Sequence, residues 1–326
     1  MDNQKGSLIH AIKSAQIHKN VGSYIRSIIK PGLSLKEVAS LIENKIKDET
    51  NFDSENPLER GIAFPVGLSL NNCAAHYTPN YGENNIILKN SDILKIDYGV
   101  HYKGTIIDSA FTIHFDEKYD EFIKISKNLT NFAVKQCRPD AILGEIGDAI
   151  EEYISSKEVI IGDKKHKLTT MHDLSGHAIA PYEIHAGKAV PNISIFYPLR
   201  MNENEYYAIE PFITTGLGET IVKSPNSHYM LDKNGVNYGK SLEKDETLLY
   251  NIIKKNYSTL PFCQKWLYEL NNQLNHNIIL KKLEKKKIIN CFPPLYDVEE
   301  SLISQFEHTI FIKNNGILNL TENDFY

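Results

Sequence analysis

The segment LKIDYGVHYKGTIIDSAFTIHF, residues 94–115, decides the fold: two apolar strands flank a polar turn, and each strand has an aspartate in its middle. If the turn centres on Tyr102 and Lys103, Asp97 and Asp108 lie directly opposite each other. Opposed like charges destabilise a strand pair, and burial adds to the cost unless one carboxyl is protonated or a cation bridges the two. A bound cation explains both aspartates at once. A slipped register, with two solvated aspartates on a sheet edge, is the alternative that this segment leaves open.

The composition limits the classes of partner and the compartment. The 326 residues carry a formal net charge of -5 and have a pI of about 6.2, so no basic excess is available for nucleic acid. Four cysteines stand far apart with no CxxC pair, which is typical of a reducing compartment. Because no signal peptide and no long apolar run is found, we expect a cytoplasmic protein without a membrane segment.

One helical pattern occurs twice. KPGLSLKEVASLIENKI at residues 30–46 aligns with RPDAILGEIGDAIEEYI at 138–154, and β-like stretches follow each copy. In the first copy Ser34 and Glu37 form a capping box, which predicts a helix beginning after Ser34. A chance recurrence of proline and an amphipathic helix is the alternative to a duplicated unit. The duplication favours an α+β fold of two pseudo-symmetric halves with a site between them.

Residues 220–300 break this symmetry. They are rich in Leu, Lys and Asn and are mostly helical in pattern, so we interpret them as a helical insertion.

Three further polar residues lie in apolar, strand-like contexts: His177 in LSGHAIA, Glu210 in YYAIEPF and Glu307 in QFEHTIFI. Taken singly, the histidine is typical of a core residue whose hydrogen bonds are satisfied. Either glutamate, taken singly, is typical of a strand residue that faces water. Together with the two aspartates they make four carboxylates and one imidazole. This set suits Mn, Fe, Co or Zn in a catalytic site rather than a structural zinc. Four carboxylates can bridge two divalent cations, which lower the pKa of a water between them.

Six motifs follow one another along the chain: NNCAAHYTPN, LKIDYG, IIDSAF, SGHAIAPYEIHAGK, YYAIEPF and QFEHT. In this order they resemble the methionine aminopeptidases, and SHYM, LPFCQKWL and PPLYD within 220–300 resemble the type 2 branch. The resemblance implies the pseudo-twofold pita-bread fold of creatinases and aminopeptidases, an α+β architecture. It implies a single catalytic domain over residues 1–326 that contains the helical insertion at 220–300. Many type 2 members carry a charged N-terminal extension domain, and we expect none here.

The resemblance also implies roles for individual residues. Two divalent metal ions would be held by Asp97, Asp108, His177, Glu210 and Glu307, with Asp108 and Glu307 bridging them. Glu210 would also handle the proton of the attacking water.

A second set of residues is implied to bind the substrate. His76 and His185 would contact it and stabilise the tetrahedral intermediate. The methionine pocket would be lined by Phe64, Ile184, Phe212 and His228, although both phenylalanines also suit an ordinary core.

The implied reaction is removal of the initiator methionine from nascent proteins with a small second residue, by attack of a metal-bridged hydroxide. The substrate would then be the N-termini of nascent polypeptides. We expect a monomer, and the resemblance leaves open whether the protein acts near the ribosome. An inactive relative that binds protein or RNA is disfavoured because all five ligand positions are filled. A relative of the same fold that acts on X-Pro bonds or creatine is disfavoured by the motifs in 220–300.

The sequence departs from the type 2 pattern in three places. Phe292 stands where tyrosine is usual, Glu183 where a basic residue is usual, and the C-terminus ends in NDFY where DDY is usual. None of these changes removes a predicted metal ligand, so we expect them to alter the shape of the pocket rather than the chemistry.

Overall fold

The structure, a computed structural model, describes residues 2–233 and 242–323. Its first half is built around one long hairpin. The elements of this half are α1 (Asp2–Ile28), α2 (Leu35–Thr50), β1 (Arg60–Ile62), β2 (Gly67–Leu70), β3 (Cys73–Ala75), β4 (Ile93–Tyr102) and β5 (Thr105–His114). β5 pairs along one edge of β4, and β1 and β2 share the other edge, all antiparallel.

The second half repeats two helices and an antiparallel sheet. Its elements are a 3-10 turn (Glu117–Tyr119), α3 (Asp120–Gln136), α4 (Leu143–Ser155), β6 (Glu158–Ile161), β7 (Lys164–Lys167), β8 (Thr169–Thr170), β9 (Ser175–Ile179), β10 (Ala189–Pro191), β11 (Tyr206–Ile209), β12 (Phe212–Thr214), β18 (Ile303–Gln305), β19 (His308–Lys313) and β20 (Gly316–Asn319). The main sheet has the order β10-β9-β11-β19-β20. An α+β fold of two halves is therefore confirmed.

The two copies of the repeated pattern form equivalent helices. Ser34 caps α2 as predicted, since its side chain accepts from the backbone of Glu37 and the Glu37 carboxylate accepts from the backbone of Ser34 at 2.8 Å. Leu35 begins α2 and Leu143 begins α4, which are the residues that the sequence alignment pairs. One hydrophobic cluster runs from these helices through both sheets, so the halves share a core.

The segment 220–300 contains strands that its pattern did not predict. Helices α5 (Lys244–Asn256), α6 (Gln264–Leu270) and α7 (His276–Lys285) alternate with β13 (Ile221–Val222), β14 (His228–Leu231), β15 (Phe262–Cys263), β16 (Ile289–Phe292) and β17 (Leu295–Tyr296). β14 pairs with β15 and β16 to form a small sheet. The side chains of α5, α6 and α7 pack with those of β14, β15 and β16 into a separate hydrophobic cluster. β17 instead pairs with β13 and with β3 of the first half.

The hairpin register differs from the predicted one. Asp97 pairs with Ala110 and Asp108 pairs with Gly99, because the two-residue turn is Lys103-Gly104 rather than Tyr102-Lys103. Both turn residues have positive φ, 46° and 76°, as a type I′ turn requires, and glycine accepts this conformation without strain. The prediction of directly opposed aspartates is therefore wrong by two residues. A shift of two keeps both side chains on the same face, as diagonal neighbours.

A buried carboxylate joins α2 to the helices of the 220–300 segment. Glu43 is 4% exposed, and its two oxygens accept from Trp266 Nε1 at 2.9 Å and from Lys265 Nζ at 2.5 Å. Hydrogen bonds that involve a charged partner stabilise a fold more than neutral ones do. We infer that Glu43 fixes the position of α6 against the first half.

Replacing Glu43 with glutamine is expected to lower the free energy of unfolding by roughly 2 kcal/mol, because the amide loses the charge that faces Lys265. Urea unfolding followed by tryptophan fluorescence measures this directly, since Trp266 is the single tryptophan of the chain. Glu152→Gln, at an exposed position on α4, is the matched control. Equal effects of the two substitutions would contradict the role given to Glu43.

None of the helices within residues 2–233 and 242–323 is long and apolar enough to cross a membrane.

Candidate active site

A cavity of about 310 Å³ lies where the two halves meet. Ten of the eleven residues singled out from the sequence line it: Phe64, His76, Asp97, Asp108, His177, Ile184, His185, Glu210, Phe212 and His228. The eleventh, Glu307, is buried beside Asp108 and His177. The structure therefore brings the whole predicted set together, although its members are spread over more than 200 positions of the chain.

The predicted ligands come from both halves. Asp97 lies on β4 and Asp108 on β5, whereas His177 lies on β9 of the second sheet. Glu210 directly follows β11, and Glu307 lies in the link between β18 and β19. Strands of both halves, and the segments that directly follow them, thus direct four carboxylates and an imidazole into one volume.

Side-chain atoms of Asp108, His177 and Glu307 all lie within 4.8 Å of one another, and all three residues are buried. His177 Nε2 is 3.5 Å from Asp108 Oδ2 and 3.3 Å from Glu210 Oε1. The imidazole nitrogen therefore faces the same point as carboxylates from both halves, as a shared metal ligand would.

Hydrogen bonds of backbone and hydroxyl groups connect β5, which carries Asp108, to the segment that carries Glu307. Asp108 N donates to Thr309 Oγ1 at 2.9 Å, and Thr309 Oγ1 donates to Asp108 O at 2.5 Å. Ser109 Oγ donates to Glu307 O at 2.5 Å, and Glu307 N donates to Ala110 O at 2.9 Å. These bonds hold Asp108 and Glu307 side by side without using their side chains, which leaves the carboxylates free to bind another group.

The carboxylates lack protein partners that would compensate their burial. Asp97 Oδ1, Asp108 Oδ1 and both carboxylate oxygens of Glu307 are buried without a hydrogen bond. Ion pairs of Asp108 and Glu210 within the described part of the chain involve only His177. Such uncompensated burial is costly, and it fits a divalent cation because oxygen-rich sets with one imidazole are typical ligands of catalytic metals.

The same environment shifts the pKa values of the cluster. Burial, followed by the charge of Glu210, raises the pKa of Asp97 well above the usual aspartate range. Burial and the charges of Asp97 and Glu210 do the same to the pKa of Asp108, and burial with the charge of Asp108 raises that of Glu307. Burial raises the pKa of Glu210 from 4.5 to about 8, although a hydrogen bond from Gln305 opposes this rise. Without a metal ion the carboxyl groups therefore tend to stay protonated. In the metal-bound protein the cation would neutralise their negative charge instead.

Two further histidines and Phe292 form one wall of the cavity. The ring of His185 lies 4.4 Å from that of His177 in an edge contact. The ring of Phe292 meets those of His76 and His185 at 5.8 and 6.2 Å. His76 has a φ of 63°, an uncommon conformation that costs free energy, and Ser227 Oγ donates to its carbonyl oxygen.

An apolar side of the cavity is formed by Phe64, Ile184 and Phe212, all less than 10% exposed. Phe64 covers Gly99, where a Cβ atom would lie 2.3 Å from its ring. His228 is held by Pro65 O at 3.2 Å and by Ser227 Oγ at 2.9 Å. The two phenylalanines are thus both core residues and cavity walls.

Sequence reasoning missed several residues of the site. Gln305 Nε2 donates to Glu210 Oε2 at 3.1 Å, and Thr309 binds the backbone of Asp108. Both flank Glu307 in the QFEHT motif, so their position in that motif was an available signal. Asp173, Pro261 and Leu295 also line the cavity. Pro261 lies in the LPFCQKWL motif and Leu295 in the PPLYD motif, whereas nothing in the local sequence marked Asp173.

The departures from the type 2 pattern have different surroundings. Glu183 forms an ion pair with Lys233, which links the β9–β10 connection to the 220–300 segment. Phe292 lacks a hydroxyl, and its ring packs between two histidines. The unusual C-terminus falls largely on residues 324–326, outside the described residues.

Together, the two-half fold and the buried carboxylate–histidine cluster define a metallohydrolase of the pita-bread class, and the sequence matches metallopeptidase family M24 over residues 10–242. It is 42% identical to methionine aminopeptidase 2 of Kluyveromyces lactis over 305 residues, 92% of this chain and 72% of that protein. It is 40% identical to methionine aminopeptidase 2 of Schizosaccharomyces pombe, over 92% of this chain and 69% of that protein. The chain belongs to the methionine aminopeptidase 2 proteins of family M24.

Solved structures support the fold. Methionine aminopeptidase from Rickettsia prowazekii superposes with a TM-score of 0.65 at 20% identity, over 98% of each chain. A thermophilic Arx1 superposes with a TM-score of 0.77 at 15% identity, over 98% of this chain and 92% of that one.

Proposed function

We propose that this chain is a metal-dependent aminopeptidase that removes the N-terminal methionine from nascent proteins, with a preference for a small second residue. The observation that carries the proposal is a buried cluster of four carboxylates in a cavity with one apolar side, in which Asp97, Asp108 and Glu307 have oxygens without a hydrogen-bond partner. Family membership supports it.

Asp97, Asp108, His177, Glu210 and Glu307 would hold two divalent cations, drawn from Mn, Fe, Co or Zn. When bound, such cations lower the pKa of a water and polarise the carbonyl of the scissile bond. The orphaned oxygens of Asp97, Asp108 and Glu307 support this ligand set.

Glu210 is proposed to move the proton. Its Oε2 accepts from Gln305 Nε2 at 3.1 Å, which orients the carboxylate and leaves Oε1 on the His177 side. From there it takes a proton from the attacking water and passes it to the leaving amine. Gln305 acts as its positioning residue.

His76 and His185 are proposed to stabilise the developing negative charge. Burial lowers the pKa of His185 to about 3 and that of His76 to about 4, although a hydrogen bond with the Pro293 backbone opposes the shift of His76. Both rings are therefore neutral near pH 7, and each carries a single N–H. Donors placed in advance where charge develops lower the barrier without reorganisation. The edge contacts with Phe292 limit the rotation of both rings.

The apolar side is proposed to accept the methionine side chain. A flexible thioether adapts to walls of mixed aromatic and aliphatic character, here Phe64, Ile184, Phe212 and His228. Every residue of the proposed site comes from one chain, so a monomer can form the complete site. We place this monomer in the cytoplasm, where it would act on polypeptides as they leave the ribosome. We further propose that residues 1–326 form one catalytic domain with 220–300 as an insertion, which its separate hydrophobic cluster supports.

The test is release of free methionine from the peptide Met-Ala-Ser. Metal-stripped protein is expected to be inactive, and added Mn or Co is expected to restore release. The N-acetylated peptide, which lacks a free amine, is the substrate control. Glu210→Gln is the variant of the site, and Glu152→Gln is its matched control at an exposed position. Folded protein that releases no methionine with any of the four metals would refute the proposed function.

A further inference from the structure

A second cavity, of about 140 Å³, lies between the first half and the helices of the 220–300 segment. Its walls come from the end of α2, from β1 and β4, and from α5 and α6. A void of about 150 Å³ is large enough for benzene. The second cavity therefore has room for one aromatic ring.

The floor of the second cavity is apolar and its rim is polar. Leu260 and Trp266 are 2% and 6% exposed, and Tyr257 packs on Trp266 with ring centroids 5.7 Å apart. At the rim stand Lys47 and Glu269, whose opposite charges favour neither an anion nor a cation. A concave apolar site with a few polar groups is the usual form of a small-molecule site.

One buried polar group of the floor has an unused donor. His101 is 1% exposed, and Gly104 N donates to its Nδ1 at 3.4 Å. Because Nδ1 accepts, the neutral ring carries its proton on Nε2, and burial lowers the pKa of His101 to about 4. Within the described part of the chain, Nε2 has no hydrogen-bond acceptor, so it offers an N–H to an occupant of the cavity.

The second cavity lies close to one wall of the candidate active site. Leu260 lines the second cavity and the next residue, Pro261, lines the first. Leu260 also packs in one cluster with Phe64 and Ile184, two walls of the proposed methionine pocket. Close-packed interiors transmit strain, so the cluster that contains Leu260, Phe64 and Ile184 is a physical connection between the two cavities.

We propose that the second cavity binds a small aromatic molecule, one benzene ring carrying a hydrogen-bond acceptor, and that its occupancy changes the affinity of the active site for peptides. The ring lies against Trp266 and Leu260, and the acceptor meets His101 Nε2. The effect on peptide affinity rests on the proposed function, whereas binding itself does not.

Benzyl alcohol is titrated into the metal-loaded protein, and binding is measured by the fluorescence of Trp266. The tryptophan is excited at the red edge of its absorption band. Toluene has the same ring without the acceptor. We expect a saturable one-site change and at least fivefold tighter binding of benzyl alcohol than of toluene.

Two variants and one control locate the site. Asn256→Phe fills the cavity from its rim and is expected to weaken benzyl alcohol binding at least tenfold. His101→Phe keeps the ring volume but removes the donor, so the preference for benzyl alcohol over toluene is expected to fall to near unity. Leu248→Ala, at an exposed position on α5, is expected to bind as the parent does.

The two parts of the proposal fail separately. An absent or non-saturable fluorescence change, or equal affinity in Asn256→Phe and the parent, would overturn the binding site whether or not the protein is a peptidase. At saturating benzyl alcohol we expect the KM for Met-Ala-Ser to change at least twofold in the parent and not in Asn256→Phe. An unchanged KM in an active parent with bound probe would overturn the regulatory part alone.

Discussion

Asp108→Asn is expected to lower kcat/KM for Met-Ala-Ser by about three orders of magnitude or more. The substitution keeps the backbone bonds of Asp108 with Thr309 but removes one charge from the cluster. Metal ions in such sites stabilise the transition state by several kcal/mol, and about 1.4 kcal/mol corresponds to a factor of ten in rate. Bound metal, measured by elemental analysis of the purified protein, is expected to fall as well.

A comparison of stabilities separates this effect from unfolding. In metal-free protein the asparagine removes a buried carboxyl group whose charged form is unfavourable beside the other carboxyl groups, so the melting temperature of Asp108→Asn is expected to equal or exceed that of the parent. Added cation is expected to stabilise the parent and not the variant. Asp163→Asn, in the exposed β6–β7 turn, controls for the change of residue type. Parent-like turnover and metal content in Asp108→Asn would remove Asp108 from the ligand set.

Removal of metal is expected to make the stability of the protein fall steeply as the pH rises. Burial raises the pKa of Glu210 from 4.5 to about 8 and raises those of Asp97, Asp108 and Glu307. Below the unfolded-state values these groups are protonated in both states, and their contribution to stability is fully present. Between about pH 4.5 and 8 the folded state holds more protons than the unfolded state, so the free energy of unfolding decreases.

The expected loss from Glu210 alone is a few kcal/mol, because one pKa unit corresponds to about 1.4 kcal/mol. Urea unfolding of metal-free protein at pH 5, 6, 7 and 8 measures the slope. Saturating divalent cation is expected to cancel it, since the cation replaces the protons as the compensating charge. In Glu152→Gln, which changes an exposed carboxylate, the slope is expected to persist. A stability of the metal-free protein that rises with pH over this range would contradict the account of the cluster.

The binding site for an aromatic molecule adds a reason to follow Trp266 in these experiments. Its indole donates to Glu43 and lines the second cavity. One fluorophore therefore reports on the attachment of α6 and on the occupancy of that cavity. The Glu43→Gln and Asn256→Phe variants distinguish the two signals, because only the former changes the carboxylate that fixes the indole.

The local features of the fold could be predicted from the sequence. The helical spacing and the capping box of Ser34 and Glu37 depend on neighbours along the chain, and so does the alternation that places Asp97 and Asp108 on one face. The motifs around His177, Glu210 and Glu307 gave the candidate ligands only in combination with the two aspartates, because four carboxylates and one imidazole in apolar contexts are typical of a metal site and none of them is informative singly. Their roles as ligands stay predictions.

The tertiary structure decided what depends on distant parts of the chain. The hairpin register depended on which two residues form the turn, and the pairing of β4 with β5 placed it at Lys103 and Gly104. The strands within 220–300 depended on pairing between β14, β15 and β16, and on pairing of β17 with β13 and with β3 of the first half. The hydrogen bonds of Gln305 with Glu210 and of Thr309 with Asp108 join segments that are far apart in the sequence. They form only because the fold brings these segments together. Periodicity records which face of an element is apolar, whereas register and the convergence of side chains are set by packing between elements, which a local pattern does not contain.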